Sequence, residues 1–216
     1  MADIVLVTGM VLEVSPVNDY DRRLVILTKE RGKISAFCRG ARRINNKLMA
    51  ATNQFAFGTF KLYEGRNAYN IQDAEITHYF EELRTDLAGA YLGMYFLEVA
   101  SYYTRENNDD VEMLKLLFQT IRAIVKDNID NRLIRSIYEI KSLQVNGEFP
   151  GIPENIGLSD GAKHAVNFIV STKAEKVYTF AVSDSVLDEL IKLSSFYMDK
   201  FVDKKFKSLE MLEIIS

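Results

Sequence analysis

The sequence predicts an α+β protein, with a five-stranded β-barrel over residues 1–80 and an α-helical domain over residues 81–216. Three observations carry this. From residue 4 to about 78, β-branched and aromatic runs alternate with turn sequences. From Leu83 onward, apolar residues recur at helical spacing. At 216 residues the chain suits two modules, and its charge divides accordingly. Between Tyr20 and Arg66, eleven basic residues stand against three acidic ones, a local +8 in a chain of net −3, which leaves −11 for the remainder.

Ile4 to Val14 is a long β-branched strand with Gly9 at its middle, where a barrel strand needs a bulge or sharp bend. Ser15-Pro16-Val17-Asn18-Asp19 is a turn. Arg22 to Thr28 forms the second strand, and Lys29-Glu30-Arg31-Gly32 turns it into Lys33 to Arg39. A loop rich in arginine and asparagine follows, Gly40 to Ala51. Phe55 to Tyr63, interrupted by Gly58, and Ala68 to His78 complete the strands, joined at Glu64-Gly65-Arg66-Asn67. This strand count and size match an OB-fold, a five-stranded Greek-key barrel; an SH3-like barrel fits the count nearly as well.

The helical half begins with a stripe of Leu83, Leu87, Ala90, Tyr91, Met94, Leu97 and Tyr102. Val111 to Val125 is a second amphipathic helix, and Asp130 caps a third that runs to about Val145. Asn146 to Gly157, with two prolines, is irregular and opens an insertion spanning about 146–182. Ser159 starts a helix to about Val170, Lys176 to Val182 reads as a strand, and Ser183 or Asp184 caps a helix to about Val202. A last turn covers Leu209 to Ile215. The module boundary falls near Phe80 to Leu83.

Composition excludes several classes. Cys38 is the only cysteine, so neither an intramolecular disulfide nor a multi-cysteine zinc site can form. The N-terminus lacks a signal-peptide pattern and no window is apolar enough to span a membrane, so a cytoplasmic, nucleoid-associated protein is expected. His78 and His164 lie far apart, and no nucleophile elbow, phosphate-cradling loop or zinc-protease motif occurs. Cys38, inside an apolar run, reads as a small buried hydrophobe. No enzyme activity, cofactor or metal is expected.

Binding is what the residues do point to. Arg22, Arg23, Arg31, Lys33, Arg39, Arg42, Arg43, Lys47 and Arg66 are the candidate DNA contacts, because several cations on one surface are needed to displace the counterions of a phosphate backbone. Arg39, Arg42 and Arg43 leave a strand end for a loop, where OB-folds bind oligonucleotides, and Gly40 admits a close backbone approach. A merely solvated face would mix in acids that are missing here. Tyr20, Phe37, Phe55, Phe57, Phe60, Tyr63 and Tyr69 are the aromatic candidates for base stacking; most of them read as core, since a small barrel needs bulky interior side chains, and Tyr20 and Tyr69, near turns, are the better placed. In the helical half, a groove rimmed by Arg122, Arg132 or Arg135 among many aromatics can take a hydrophobic-acidic peptide.

The residues resemble the RecO family of recombination mediators of bacterial DNA repair. Val7-Thr8-Gly9-Met10-Val11-Leu12, then Asp21 through Ala36, then Arg39-Gly40-Ala41-Arg42-Arg43 look like its N-terminal signature. Leu62-Tyr63-Glu64-Gly65-Arg66 and Ala74-Glu75 follow in order, and Phe206-Lys207-Ser208-Leu209 is similar to its closing helix. The resemblance covers essentially the whole chain. It implies an OB-fold on a helical domain, and ATP-independent binding and annealing of single-stranded DNA; double-stranded DNA is a further candidate ligand of the basic surface. The implied partners are RecR and the C-terminal tail of single-strand DNA-binding protein, leading to loading of RecA. The DNA contact is carried over onto Arg31, Lys33, Arg39, Arg42 and Arg43. Many family members hold a four-cysteine zinc cluster between the third helix and the last; Gln144 to Val182 contains no cysteine, so packing alone must hold that insertion. The rival expectations are a generic OB-fold nucleic-acid binder without annealing activity, and a scaffold whose barrel binds an acidic protein.

Overall fold

The computed structural model describes residues 4–65, 68–153 and 156–215. Five strands, β1 (Ile4–Val17), β2 (Asp21–Thr28), β3 (Gly32–Cys38), β4 (Phe57–Glu64) and β5 (Tyr69–His78), close into a barrel in the order β1-β2-β3-β5-β4. All neighbours are antiparallel except β3 and β5, which pair in parallel through Ala36↔Tyr69 and Phe37↔Asn70. This is the OB-fold, and its closure leaves no long free strand edge.

β1 makes the closure by changing partners along its length: Ile4 to Met10 pair with β4, and Gly9 to Val17 pair with β2. The crossover lies at Gly9, which is opposite both Thr28 and Gly58. A Cβ on Gly9 would lie 2.3 Å from the Leu27 carbonyl oxygen, and one on Gly58 would lie 2.2 Å from that of Glu75. Both glycines are there because three backbones converge. The register shifts between Phe57 and Gly58 on β4, whereas on β1 it shifts between Val11 and Glu13, past the glycine. β1 also runs through Ser15-Pro16-Val17, which the sequence reads as a turn; the reversal is confined to 18–20.

Strict alternation of buried and half-buried positions along β3 points Ile34, Ala36 and Cys38 inward, where they meet Val7, Val11, Leu24, Ile26, Phe60 and Leu62. The segment between β3 and β4 is a loop, as expected, but not only a surface loop. Ala41, Leu48, Ala51 and Ala56 belong to the same buried cluster, so it plugs the barrel mouth.

The compact unit built on the barrel comprises Met1–Glu81 together with Leu97–Leu114. The helical sequence after residue 81 therefore does not all belong to the second unit. Backbone contacts explain this: Lys33 N donates to Arg105 O at 3.0 Å, and Asn107 N donates to Arg31 O at 2.9 Å. Gly32, at φ 62°, sits where a Cβ would lie 2.3 Å from the Arg105 oxygen.

The second unit comprises Glu82–Phe96 and Lys115–Ser216. Its helices come from α1 (Leu87–Tyr103) and α2 (Val111–Lys126), which contribute to both units, and from α3 (Asn131–Val145), α4 (Asp160–Ser171), α5 (Asp184–Phe201) and α6 (Lys207–Ile215). α3 is the axis, with Leu133, Ile134, Ile137, Tyr138, Ile140 and Leu143 all buried, packed on α4 and α5. Asp130 caps α3 by accepting from Arg132 N, and Ser159 caps α4 by accepting from Ala162 N. The strand expected over Lys176 to Val182 is absent. A short 3-10 turn covers Ala174–Lys176, Val177 is buried, the Tyr178 and Thr120 hydroxyls meet at 2.6 Å, and Phe180 packs edge-on to Phe168. Among the described residues no strand exists in this unit to pair with it, so its β-prone side chains serve as helix-packing residues instead. The irregular insertion is tied down by Lys141 Nζ donating to Val170 O, by Tyr197 Oη donating to Gly151 O, and by Phe149 edge-on to Tyr197.

Candidate nucleic-acid interface

β3 separates the predicted cations into two groups. It is seven residues long, so its ends lie roughly 20 Å apart. Arg31 and Lys33 stand at one end, and Arg22, Arg39, Arg42, Arg43 and Lys47 gather at the other. Arg66 lies outside the described residues.

At the first end both side chains are half-buried. The Lys33 ammonium donates to the Ser101 carbonyl, and the Ser101 hydroxyl donates to Glu13 Oε1 at 3.0 Å. Arg31 is half-buried, close enough to Tyr69 that its charge acts on that phenol, whose pKa burial nevertheless raises. Tyr69 itself is buried and offers no face to a base.

At the second end, Arg22 holds the loop in place. Its Nη1 lies 2.9 Å from Met49 O, 2.9 Å from Thr52 Oγ1 and 3.0 Å from Asn53 Oδ1. Burial, with the charge of Arg42, lowers its pKa. Arg22 is thus a brace whose Nη1 donates within the protein, as the ammonium of Lys33 does. Arg23 is exposed and donates to Ser35 Oγ on the outer face of the β2–β3 pair.

The loop beyond Cys38 is built turn by turn. Gly40, at φ 66°, donates to Asp21 Oδ1 at 2.7 Å. Arg42 N donates to Tyr20 O, Arg43 N to Gly40 O, and Asn46 N to Arg43 O. The Asn46 amide closes the loop by donating to Gly40 O at 2.8 Å and accepting from Leu48 N at 2.8 Å. Arg39, Arg42 and Arg43 are left exposed on this frame. The Arg43 guanidinium lies 4.9 Å from the centroid of Tyr20, whose side chain stays half exposed, the arrangement of a stacking surface beside positive charge. Lys47 is paired with Asp73 at 2.8 Å; that hydrogen bond, with one from Ala74 N, holds the Asp73 carboxyl below the usual range. Asp21, beside this loop, is also used, since it caps Gly40; at the other end of β3, Glu30 accepts from Thr8 N at 2.8 Å.

Phe60 is buried, while Phe37, Phe55, Phe57 and Tyr63 are half-buried. Sequence reasoning missed one residue of this surface. Ile44, at the loop tip, is 88% exposed. The available signal was a lone isoleucine inside the polar run Arg42-Arg43-Ile44-Asn45-Asn46.

Cys38 is buried in the barrel, and burial pushes its thiol up to about 11. Among the described residues, no group of three or more His, Cys, Asp and Glu is arranged to hold a metal ion. Among the described residues, no helix is long and apolar enough to cross a membrane.

In the helical unit, Arg132 and Arg135 line a cleft of about 400 Å³ with Leu92 and Leu212. Arg135 also borders a second cleft of about 430 Å³ with Tyr95, Met198, Val202, Phe206 and Leu209. Arg122 lines neither; it lies over Phe118 on its own helix. Arg132 is held by the α3 cap Asp130 at 2.7 Å, and Arg135 donates to the buried Glu139 at 2.7 Å while lying over Tyr95. Burial alone would lower the Arg135 pKa, but Glu139 holds it up.

Two family models match. Residues 1–80 match the N-terminal domain of recombination protein O, and residues 84–152 match its C-terminal domain. The chain is 26% identical over 240 residues to the DNA repair protein RecO of Acetivibrio thermocellus, covering 96% of each chain. It is 24% identical to that of Clostridium perfringens strain 13, again over 96% of each. To that of Symbiobacterium thermophilum it is 30% identical, over 72% of this chain and 62% of the relative. With a barrel of OB topology carrying a braced cationic loop, and both domain models in register along one chain, the protein belongs to the recombination protein O family of DNA repair proteins.

Proposed function

We propose that this chain is a non-enzymatic recombination mediator that binds single-stranded DNA on the loop between β3 and β4 and anneals complementary strands. The observation that carries this reading is the exposed triad Arg39, Arg42 and Arg43, set on a hydrogen-bonded frame beside the half-exposed Tyr20. Cations on a stiff loop can hold several phosphates without losing loop entropy on binding, and a ring beside them gives a base a surface to stack on. Arg23 and Lys47 extend the positive surface, and duplex DNA meets the same phosphate-binding groups. Arg22 and Lys33 support the surface from within rather than touch the strand.

In the helical unit, the cleft at Arg132 and Arg135 combines apolar walls at Leu92 and Leu212 with guanidinium groups and Glu213, and the neighbouring cleft adds Lys204 and Lys205 beside Asp199 and Glu210. This chemistry fits the acidic, hydrophobic C-terminal tail of single-strand DNA-binding protein. Engagement of that tail and of RecR, followed by assistance to RecA loading in the cytoplasm, completes the reading that family membership supports.

The test is annealing of two complementary oligonucleotides precoated with the cognate single-strand DNA-binding protein, without nucleotide or metal. Acceleration by the wild type, abolished on charge reversal of Arg39, Arg42 and Arg43, is expected. For every phosphate no longer bound, the salt dependence of single-strand binding should also flatten by roughly 0.7 in log–log slope. Binding of bare strands without acceleration would reduce the protein to a generic OB-fold binder. Negligible oligonucleotide affinity at about 0.1 M salt, where phosphate contacts still act, would point instead to a scaffold for an acidic protein.

A further inference from the structure

We propose that Ile44 is a wedge that enters the base stack of the bound strand and breaks it. This rests on the nucleic-acid reading above. Ile44 is the most exposed large apolar side chain among the described residues, at 88%. Its setting is what gives it a role. Arg42 and Arg43 precede it, and Asn45, at φ 70°, turns the chain immediately after it. The tip is stiff: Asn46 N donates back to Arg43 O, and the Asn46 side chain bonds both Gly40 O and Leu48 N. The root of the loop is anchored by Leu48 and Ala51, buried with the barrel core. The fold thus presents a single branched apolar side chain on a rigid post, with guanidinium groups beside it and the Tyr20 ring under Arg43.

A base stack is the occupant this chemistry fits. Proteins that unstack nucleic acid insert an isolated apolar side chain between bases while neighbouring cations hold the flanking phosphates. The space between two bases is apolar and flat-walled, and an isoleucine held in water gains by entering it. An acidic protein partner would be met by the same arginines, but Ile44 on the tip, with Met49 at 44% exposure the other large exposed aliphatic of this loop, offers it little apolar surface to bury. Stacking engages the faces of the bases, so a wedge that opens one step kinks the strand and leaves the base edges free for a complementary strand.

The experiment uses the full chain and a single-stranded oligodeoxynucleotide with 2-aminopurine flanked by adenines, whose fluorescence rises when it unstacks. Binding is followed separately by anisotropy. At saturation the wild type should raise the fluorescence. Ile44→Gln should leave it at the free-strand level, weaken binding about three- to tenfold because less apolar surface is buried, and keep the salt slope, since the cations remain. Ile44→Phe should restore the rise. Arg42→Gln and Arg43→Gln should instead flatten the slope. The side chain is exposed, so melting temperatures should not change, and Ile44→Ala repeats the test if Ile44→Gln melts early. A wild type that binds without a fluorescence rise, or an Ile44→Gln complex with the wild-type rise, overturns the wedge and leaves the DNA reading standing. A wild type that binds no oligonucleotide in the anisotropy arm overturns both.

Discussion

The Arg22 guanidinium donates to Thr52 Oγ1 at 2.9 Å, joining the start of β2 to the loop that carries the exposed arginines. Two cations that look alike in the sequence, Arg22 and Arg43, therefore have different tasks. One holds the loop and the other faces solvent from it.

That difference predicts a split between stability and salt dependence. Arg22→Met should cost about 2 kcal/mol, because several acceptors lose a charged donor at once. Arg43→Gln should leave the melting temperature unchanged and flatten the salt slope of strand binding by about 0.7. Thermal melts alongside salt titrations check it; equal melting losses in both variants would contradict the assignment.

Gly9 and Gly58 face each other where β1 changes partners, each with a backbone oxygen within 2.3 Å of where its Cβ would be. Neither oxygen belongs to a flexible side chain, so the barrel itself must open. Gly9→Ala or Gly58→Ala should each destabilise the barrel by about 3 kcal/mol, seen as a lower urea midpoint. A change at Gly147, where nothing lies within 4 Å, tests the strain of a positive φ without crowding.

In the helical unit, Glu139 is 1% exposed and accepts from both Tyr95 Oη and Arg135 Nε at 2.7 Å. Removing one member strands a buried charge. Arg135→Met should cost about 3 kcal/mol, and the double variant Arg135→Met with Glu139→Gln should recover part of it. A double-mutant cycle by urea denaturation measures the coupling; strict additivity would show that the pair does not act as a unit.

Alkaline pH should weaken the barrel through Cys38. Burial raises its pKa from an ordinary 9.0 to about 11, so the folded state disfavours the thiolate. The stabilisation is complete below about pH 9 and is lost as pH rises toward 11. Tyr95, raised by burial and by Glu139, acts in the same direction in the helical unit from about pH 10 upward. A thiol reagent at pH 8 should fail to modify the folded protein and react at once in denaturant. Ready modification of the native chain would show that Cys38 is accessible.

The elements and their order were legible because each has a local signal. Alternation marks β3, the interior glycines mark the convergence in β1 and β4, and Asp130 and Ser159 mark helix starts through side-chain caps that need no distant partner. Fold class and family follow from such patterns. The segment at Lys176 to Val182 was misread for the same reason: β-propensity is local, but a strand exists only with a neighbour to pair with. The cationic segment was legible as composition, whereas its division was not. Which arginine faces water depends on where Met49, Thr52 and Asn53 come back to meet Arg22, and on Leu97–Leu114 returning to place Ser101 beside Lys33. Those contacts join residues 27 to 68 positions apart, and no spacing rule reaches that far. Local chemistry written along the chain was enough for the architecture; the assignment of each charge to brace or to surface was made only when the barrel closed.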